Sequence, residues 1–485
     1  MPHTIQWKKF FGLITVEPTM VFYMMAFMVT SVVEESFFVY KACTVNNNFN
    51  STVCDDIHSK NYSEFNKKVQ LTVSEFHQWN DIAGHVGTIV LAFFMGSWAD
   101  RRGRKLPLLL GLFGKLYYSA MIVLNATQDH WPVEYIVYTA TLPMAFTGAD
   151  VAIFAACFTY VVDVSSDKNR TIRVTILEVC YLASMPTGIA LGSYLFTQVT
   201  NKSYATMFLI NCSLLVVSII YSLVRLEWRT SERQRPLSEA ANIVTDFFDY
   251  KHVVDTFHTL FRRRSGKKRC FLLLLIVSMA FYTFQRNEKQ MMYLYLQLVL
   301  NWSFQQISNF RTYQSALQDL ALLIVIPVGS KLLAWKDGII AMIGAVAHSV
   351  ARMFFATAKT NSLIYVGGMF AGLGPIVAPI IRSMISTLVS SSERGKVFTM
   401  LAVADNAIPM LSGTVYNQVY KKTINHFPAG IYLVTIFTQM VVFLIFLYIH
   451  IRSRDQTYIH GGNDDDDDNS SFDIQPKAVD IVEQR

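Results

Sequence analysis

Twelve apolar blocks, each long enough to cross a lipid bilayer, limit how this 485-residue chain can fold. A membrane-spanning helix needs about 20 mainly apolar residues. The blocks lie near 18–40, 80–99, 106–124, 134–161, 172–198, 205–224, 270–298, 312–334, 337–358, 361–388, 396–418 and 428–450. In the bilayer interior, backbone N–H and C=O groups outside a helix have no hydrogen-bond partners. The twelve blocks therefore predict an all-α membrane protein with twelve transmembrane helices. Charged residues make up 16% of the chain, against about 25% in soluble proteins, which agrees with a membrane protein.

Basic residues collect in alternate connections, after the second, fourth and sixth blocks. Loops rich in Lys and Arg stay in the cytoplasm, so both termini and the middle of the chain are expected there. This bias accounts for the net charge of +7 without a nucleic-acid partner. The mixed segment 1–17 does not resemble a cleaved signal peptide, and the first helix is therefore expected to be retained.

The basic segment 225–269 divides the chain into two halves. The domains we expect are a cytoplasmic N terminus (1–17), a six-helix bundle (18–224), the cytoplasmic middle segment (225–269), a second six-helix bundle (270–450) and a disordered acidic cytoplasmic tail (451–485). Apolar spacing of three and four predicts an amphipathic helix at the membrane surface over 240–261. RTIRVTILEV at 170–179 and RGKVFTMLAV at 394–403 recur at the same place in each half. The repeat predicts two pseudo-symmetric bundles, as in transporters.

Acceptor motifs for N-glycosylation and two cysteines fall in connections assigned to the outside or lumen. The Asn-x-Ser/Thr acceptors expected to carry glycans are Asn50, Asn61, Asn125, Asn201 and Asn301. Cys43 and Cys54 share the first outer connection, an oxidising location, and we predict that they form a disulfide. The alternative is a pair of free thiols.

The stretch GSWADRRGRK at 96–105 joins the second and third blocks. It is similar to the signature of the major facilitator superfamily at the same place, which implies that fold. Gly96 would allow close helix packing, and Gly103 a tight turn. Asp100 and Arg104, joined by Asp163 at the end of the fourth block, would form a charged cytoplasmic gate. The alternative is a basic anchor at the lipid head groups without a gating role.

Four further stretches resemble the proton-coupled folate transporter family, which includes the thymic stromal cotransporter and a lysosomal member. They are VEPTMVF (16–22), YVVDVSSDKNRTIRVTILEV (160–179), SGKKRCFLLLL (265–275) and IIRSMISTLVSSSERGKVFTMLA (380–402). The resemblance covers essentially all twelve blocks and is densest with the lysosomal member. The histidine region of the family's seventh helix is not recognisable here, which places folate as the substrate in doubt.

Two charged residues inside the blocks are candidates for substrate binding. A charge at the centre of a span costs roughly 2.5–3.5 kcal/mol on insertion scales, so it indicates a function or a partner. Arg382 offers a planar fork to a carboxylate or phosphate, and the family resemblance implies substrate binding there. The alternative is an arginine that reaches the cytoplasmic edge. Glu288 lies in QRNEKQ, where the seventh helix is expected to break and line the cavity; the alternative is a misplaced span.

Two acids are candidates for proton coupling. Glu178, in the fifth block, occupies a position where the family resemblance implies an acid linked to proton coupling, and we expect its carboxylate to be buried. Asp150, in the fourth block, matches an Asp in the folate carrier's similar stretch. The alternatives are structural ion pairs or packing hydrogen bonds. Weaker candidates for the pathway are His85, His348, Arg352, Lys115, Asp319 and Asp405.

The sequence favours a secondary active transporter that works by alternating access, with proton-coupled symport of a folate-like, peptide-like or nucleotide-like organic anion. Motifs for ATP binding, metalloprotease chemistry and dinucleotide binding are absent, so we expect no enzyme activity, no metal and no cofactor apart from the proton as coupling ion. The expected partners are the solute, the proton and the bilayer, and the chain is expected to be a monomer in the plasma or lysosomal membrane. The alternatives are an uncoupled carrier of a neutral metabolite and a non-transporting receptor or scaffold.

Overall fold

The computed structural model describes residues 14–166, 169–230, 234–239, 242–248, 254, 268–389 and 394–460. The predicted N terminus (1–13), most of the predicted amphipathic helix over 240–261 and the acidic tail from 461 lie outside the described residues.

Twelve long helices account for most of the described chain. They are α1 (Glu17–Asn46), α2 (Ser63–Arg102), α3 (Lys105–Thr127), α4 (Val137–Asp163), α5 (Arg170–Tyr194), α6 (Tyr204–Arg225), α7 (Lys268–Val299), α8 (Phe304–Pro327), α9 (Asp337–Thr357), α10 (Asn361–Leu388), α11 (Arg394–Thr423) and α12 (Gly430–His460). Each overlaps one predicted block, and the all-α fold is confirmed.

Within the described residues, nine of these helices are apolar enough over their length to count as candidate membrane spans. The other three, α2, α8 and α11, are also longer than the roughly 20 residues that a span needs. They carry more polar residues because they lie at the seam between the two halves, where α2 packs on α11 and α5 packs on α8. A polar side chain at this seam finds a partner on the opposite half instead of lipid.

Helix α7 breaks in mid-span, as the polar run QRNEK predicts. The α-helix ends at Thr283, a 3-10 turn follows over Phe284–Asn287, and the helix resumes over Glu288–Val299. The alternative of a misplaced span is wrong, because Glu288 is buried inside the continuing helix. Helix α4 is also interrupted, at Gly148, which has the left-handed backbone conformation (φ +77°) two residues before Asp150.

The two ends of the molecule have different chemistry. The "disulfide end" carries Cys43 and Cys54, whose Cα atoms lie 5.8 Å apart across a disulfide. The "basic end" carries the turn at 101–105 between α2 and α3. At the disulfide end the two bundles are joined by hydrogen bonds from Gln70 Nε2 to the Leu294 carbonyl (2.9 Å) and from Tyr420 to Gln70 (2.6 Å). The structure is therefore closed at the disulfide end.

Candidate functional site

A polar cavity of about 290 Å³ lies inside the N-terminal bundle, at mid-span. Helices α1, α2, α3, α4 and α6 form most of its wall, and Gln290 on α7 and Asn406 on α11 reach it from the other half. Its charged and phenolic lining residues are Tyr23, Glu34, Asp81, His85, Lys115, Tyr118 and Asp150. So many ionisable groups in a membrane-spanning bundle are typical of a solute or ion path. We call this space the N-bundle cavity.

Asp150 and Lys115 form an ion pair in the wall of this cavity. The Lys115 ammonium lies 2.8 Å from a carboxylate oxygen of Asp150, and the Tyr23 hydroxyl donates to the same oxygen. Lys115 is largely buried, whereas about half of the Asp150 side chain is accessible. The pair is formed because the break at Gly148 starts a new helical segment whose first turn presents Asp150 to α3. The predicted proton-coupling residue thus lies in the cavity, beside a cation.

Asp81 on α2 connects the cavity to the opposite bundle, and sequence reasoning did not single it out. Its carboxylate is buried and accepts a hydrogen bond of 2.6 Å from the Asn287 amide, in the broken turn of α7. Asn287 in turn accepts from Ser412 on α11 (2.7 Å). A Cβ at Gly413 would clash with the Asp81 carboxylate, so glycine allows the close approach of α11. The feature of the sequence that could have indicated it is an Asp at the edge of the second apolar block.

Two adjacent acids on α1 were also missed. Glu34 accepts a hydrogen bond from Tyr118, and Glu35 lies 3.1 Å from the fully buried His77 ring on α2. The signal was present in the sequence, since VVEESFF places two carboxylates inside the first apolar block. Both acids face the bundle interior, as expected for ionisable residues within a span.

Arg382 lies on α10, in the C-terminal bundle, with about half of its side chain accessible. Its guanidinium is 3.3 Å from Asp405 on α11. The other oxygen of Asp405 accepts a hydrogen bond of 2.8 Å from Thr283. Arg286, in the break of α7, is exposed and donates to the Asp405 carbonyl (3.3 Å). One guanidinium thus contacts the Asp405 carboxylate, and the other contacts the backbone carbonyl of the same residue.

Two of the predicted site residues are placed differently. Glu288 is buried, and Arg352 lies 2.9 Å from its carboxylate, which also accepts from Thr435. It is absent from the lining of the N-bundle cavity. In this structure the carboxylate is held by partners on neighbouring helices, and substrate binding at Glu288 stays a prediction. Glu178 is exposed on α5 and does not line this cavity, so the expectation of a buried carboxylate there is wrong.

The predicted gate residues come together at the basic end. Arg104 donates to Asp163 (3.0 Å) and forms an ion pair with Asp100. Gly103 has φ +105°, and a Cβ there would clash with the Trp228 carbonyl oxygen. Gly96 is half-buried within α2. The signature thus builds an ion-pair network that joins α2, α3 and α4.

The acceptor asparagines differ in accessibility. Asn50, Asn61 and Asn201 are exposed, and Asn301 is half-buried. Asn125 is fully buried in α3, with its amide donating to the Met121 carbonyl and to Thr139. The prediction of a glycan at Asn125 is therefore wrong, because α3 continues past the expected boundary. The described residues contain no group of three or more His, Cys, Asp or Glu side chains placed to hold a metal.

Comparison with known proteins identifies the family. The model of the major facilitator superfamily matches residues 19–413. The chain belongs to the major facilitator superfamily. Its curated relatives include the "Probable peptidoglycan muropeptide transporter SLC46" of Drosophila melanogaster, 24% identical over 86% of this chain and 82% of the relative. The "Proton-coupled folate transporter" of Bos taurus is 27% identical over 74% and 75%. The human "Lysosomal proton-coupled steroid conjugate and bile acid symporter SLC46A3" is 26% identical over 81% and 83%.

Solved structures agree on the fold. The human organic anion transporter MFSD10 matches with a TM-score of 0.59 at 12% identity, over 89% of this chain and 98% of that one. A D-xylose-proton symporter matches with a TM-score of 0.61 at 13% identity, over 90% and 97%. This major facilitator protein is thus a secondary active transporter of a small-molecule solute, embedded in a membrane by multiple helices, and not an enzyme.

Proposed function

We propose that this transporter couples the uptake of an organic anion to a proton, with the Lys115–Asp150 pair as the site where the two are linked. The observation that carries the proposal is the 2.8 Å contact between these side chains in the wall of the N-bundle cavity. The relatives' names point to the same chemistry, since two of the three name proton coupling, and folates and bile acids carry carboxylates.

The coupling follows from the charge of the pair. When Asp150 is ionised, it compensates Lys115 and leaves little attraction for an anion. When Asp150 binds a proton, it no longer compensates the positive charge of the Lys115 ammonium. In a space of low dielectric constant, the attraction between this charge and an anion is large. The linkage is reciprocal, because an anion beside Lys115 disfavours a second negative charge on Asp150. Proton and anion therefore bind together.

Alternating access completes the cycle. With both ligands bound, the charges in the cavity are compensated, and the bundles move without a bare charge in the membrane interior. The movement of the bundles also affects Asp81, because its carboxylate lines the cavity and accepts a hydrogen bond from Asn287 on the opposite bundle. Arg382, on the C-terminal side of the seam, supplies a second contact to the anion.

The orientation in the membrane is part of the proposal. The disulfide end, with its exposed acceptor asparagines, faces the outside or the lumen, and the basic end faces the cytoplasm together with both termini. In this orientation the structure is closed to the outside. In either the plasma membrane or the lysosomal membrane, the proton would enter from the outer or lumenal side.

Uptake into cells that carry the protein at the surface tests the proposal. Labelled folate, a bile acid and a steroid conjugate are compared at acidic and neutral external pH. We expect accumulation of at least one of them to rise at acidic pH and to lose this rise in Asp150→Asn, while Asp55→Asn, at an exposed acid of the disulfide end, keeps it. Uptake that is indifferent to pH would identify an uncoupled carrier and contradict the proposal.

A further inference from the structure

We infer that Asp319 on α8 is a second proton-binding site, which holds its proton while α8 packs against α5. The residue is buried, and it lies about four helical turns from the start of α8 at Phe304. It does not line the N-bundle cavity. The site is therefore separate from the Lys115–Asp150 pair, and its proton is not the one in the proposed coupling step.

The carboxyl group of Asp319 has no partner among the residues that the structure describes. Neither of its oxygens has a hydrogen-bond partner there, and both are shielded from solvent. Buried acids elsewhere in the spans differ, since Glu288 forms an ion pair with Arg352 and Asp81 accepts a hydrogen bond from Asn287. A buried carboxylate without a partner costs far more free energy than the neutral acid, so such a group takes up a proton.

Asp319 lies on the face of α8 that packs against α5. Near the disulfide end, Ser193 on α5 donates a hydrogen bond to Gln305 on α8 (3.2 Å), which fixes the register of the two antiparallel helices. About four turns further along α8, Asp319 returns to the face of Gln305, and about four turns back along α5 lies Val179. Tyr181 on α5 lies within electrostatic range of Asp319. The carboxyl group is therefore buried between the two bundles.

The charged groups near this part of the seam do not compensate a charge on Asp319. Glu178 on α5 acts on the same Tyr181 and has the same sign as an ionised Asp319. Arg286 on α7 and Arg382 on α10 also lie within electrostatic range of Tyr181. Neither arginine contacts the carboxyl group of Asp319. The buried acid that the sequence predicts at Glu178 is thus found at the same level of the opposite helix.

The proton links pH to the packing of α5 on α8. Because these helices belong to opposite bundles, they separate when the disulfide end opens, and water then reaches Asp319. A hydrated carboxyl group releases its proton more readily than a buried one without a partner. A ligand favours the state that binds it more tightly, and the proton is such a ligand. Acid should therefore stabilise the closed disulfide end, and this stabilisation is lost as the pH rises.

Infrared spectra of the full-length protein in lipid nanodiscs test the protonation directly. A protonated carboxyl group absorbs at a frequency distinct from that of a carboxylate. At neutral pH we expect a band of a protonated carboxyl group that disappears in Asp319→Asn and shifts in Asp319→Glu. Asp55→Asn, the same change at an exposed acid, should keep the band. If Asp319→Asn removes no such band, or if it does not fold and the band of Asp319→Glu is unshifted, the inference is overturned.

Distances between the bundles test the link to opening. Spin labels at the exposed positions Gln198 and Lys359 report the separation at the disulfide end, in a background without the four free cysteines. From mildly acidic to mildly alkaline pH, we expect the closed-to-open ratio to fall about tenfold, as for proton affinities that differ by about one pH unit between the states. Asp319→Asn should stay closed throughout, and Asp55→Asn should respond like the unmodified protein. An unchanged response in Asp319→Asn would overturn the inference. Neither measurement needs a solute or a proton gradient, so the result is independent of the proposed coupling at Asp150.

Discussion

The carboxylate of Asp81 in one bundle accepts a 2.6 Å hydrogen bond from the amide of Asn287 in the other, 206 residues away in sequence. Both side chains are buried, and the bond lies between the cavity and the closed disulfide end. It therefore stabilises the closed arrangement directly.

Replacement of Asn287 by Asp should open the disulfide end, because a second carboxylate would then lie beside Asp81. Spin labels at the exposed positions Lys68 and His426 report the distance between the bundles, in a background without the four free cysteines. We expect the distance distribution to shift to longer values in Asn287→Asp. Asn309→Asp adds the same charge at an exposed position of α8 and should leave the distribution unchanged. A shift in both variants would show a general charge effect instead.

The Glu288–Arg352 pair should behave as a structural element. Loss of one partner of a buried ion pair leaves an uncompensated charge, which costs about 3–5 kcal/mol. Glu288→Gln should therefore lower the thermal unfolding temperature strongly, and the double variant Glu288→Gln with Arg352→Met should recover most of it. A double variant as unstable as the single one would contradict the pairing.

Gly103→Ala should destabilise the turn at the basic end. The backbone there (φ +105°, ψ 159°) lies in a region that is accessible essentially to glycine alone, where strain costs about 1–3 kcal/mol. The added Cβ also meets the Trp228 carbonyl. We expect a lower unfolding temperature than in Gly338→Ala, where a Cβ has open space. Equal stability of the two variants would show that the turn relaxes freely.

The short helix Ile243–Phe247 of the middle segment should be released from α2 by acid. The Arg102 guanidinium donates bidentate hydrogen bonds to the Asp246 carboxylate (2.8 and 2.9 Å). These hydrogen bonds lower the pKa of the Asp246 carboxyl below its ordinary value of 3.8. The contact therefore stabilises the docked helix above about pH 4, and the stabilisation is lost as the pH falls through the lowered pKa. Hydrogen exchange at 243–247 should be fast in Asp246→Asn at neutral pH. Unchanged protection would mean that the ring of Phe247, which packs on Trp98, is sufficient.

Hydropathy and motif spacing predicted the positions of the helices, the break in α7 and the gate around Arg104. They failed where a role depends on which way a helix faces. Glu178 and Glu288 were both placed in spans correctly, but the Glu178 side chain is exposed and the Glu288 carboxylate forms an ion pair with Arg352. Asp81 looked like the edge of an apolar block, because its partner on α7 is distant in sequence. The pairing of Lys115 with Asp150 likewise depends on the local break at Gly148, which hydropathy does not register.

The central claim is that Asp150 carries the coupling proton, and proton movement in proteoliposomes measures it most directly. A pH-sensitive dye trapped inside the vesicles reports protons that enter when an organic anion is added outside. We predict solute-driven acidification with the unmodified protein and none with Asp150→Asn, which should still exchange labelled for unlabelled solute. Acidification that persists in Asp150→Asn would contradict the account.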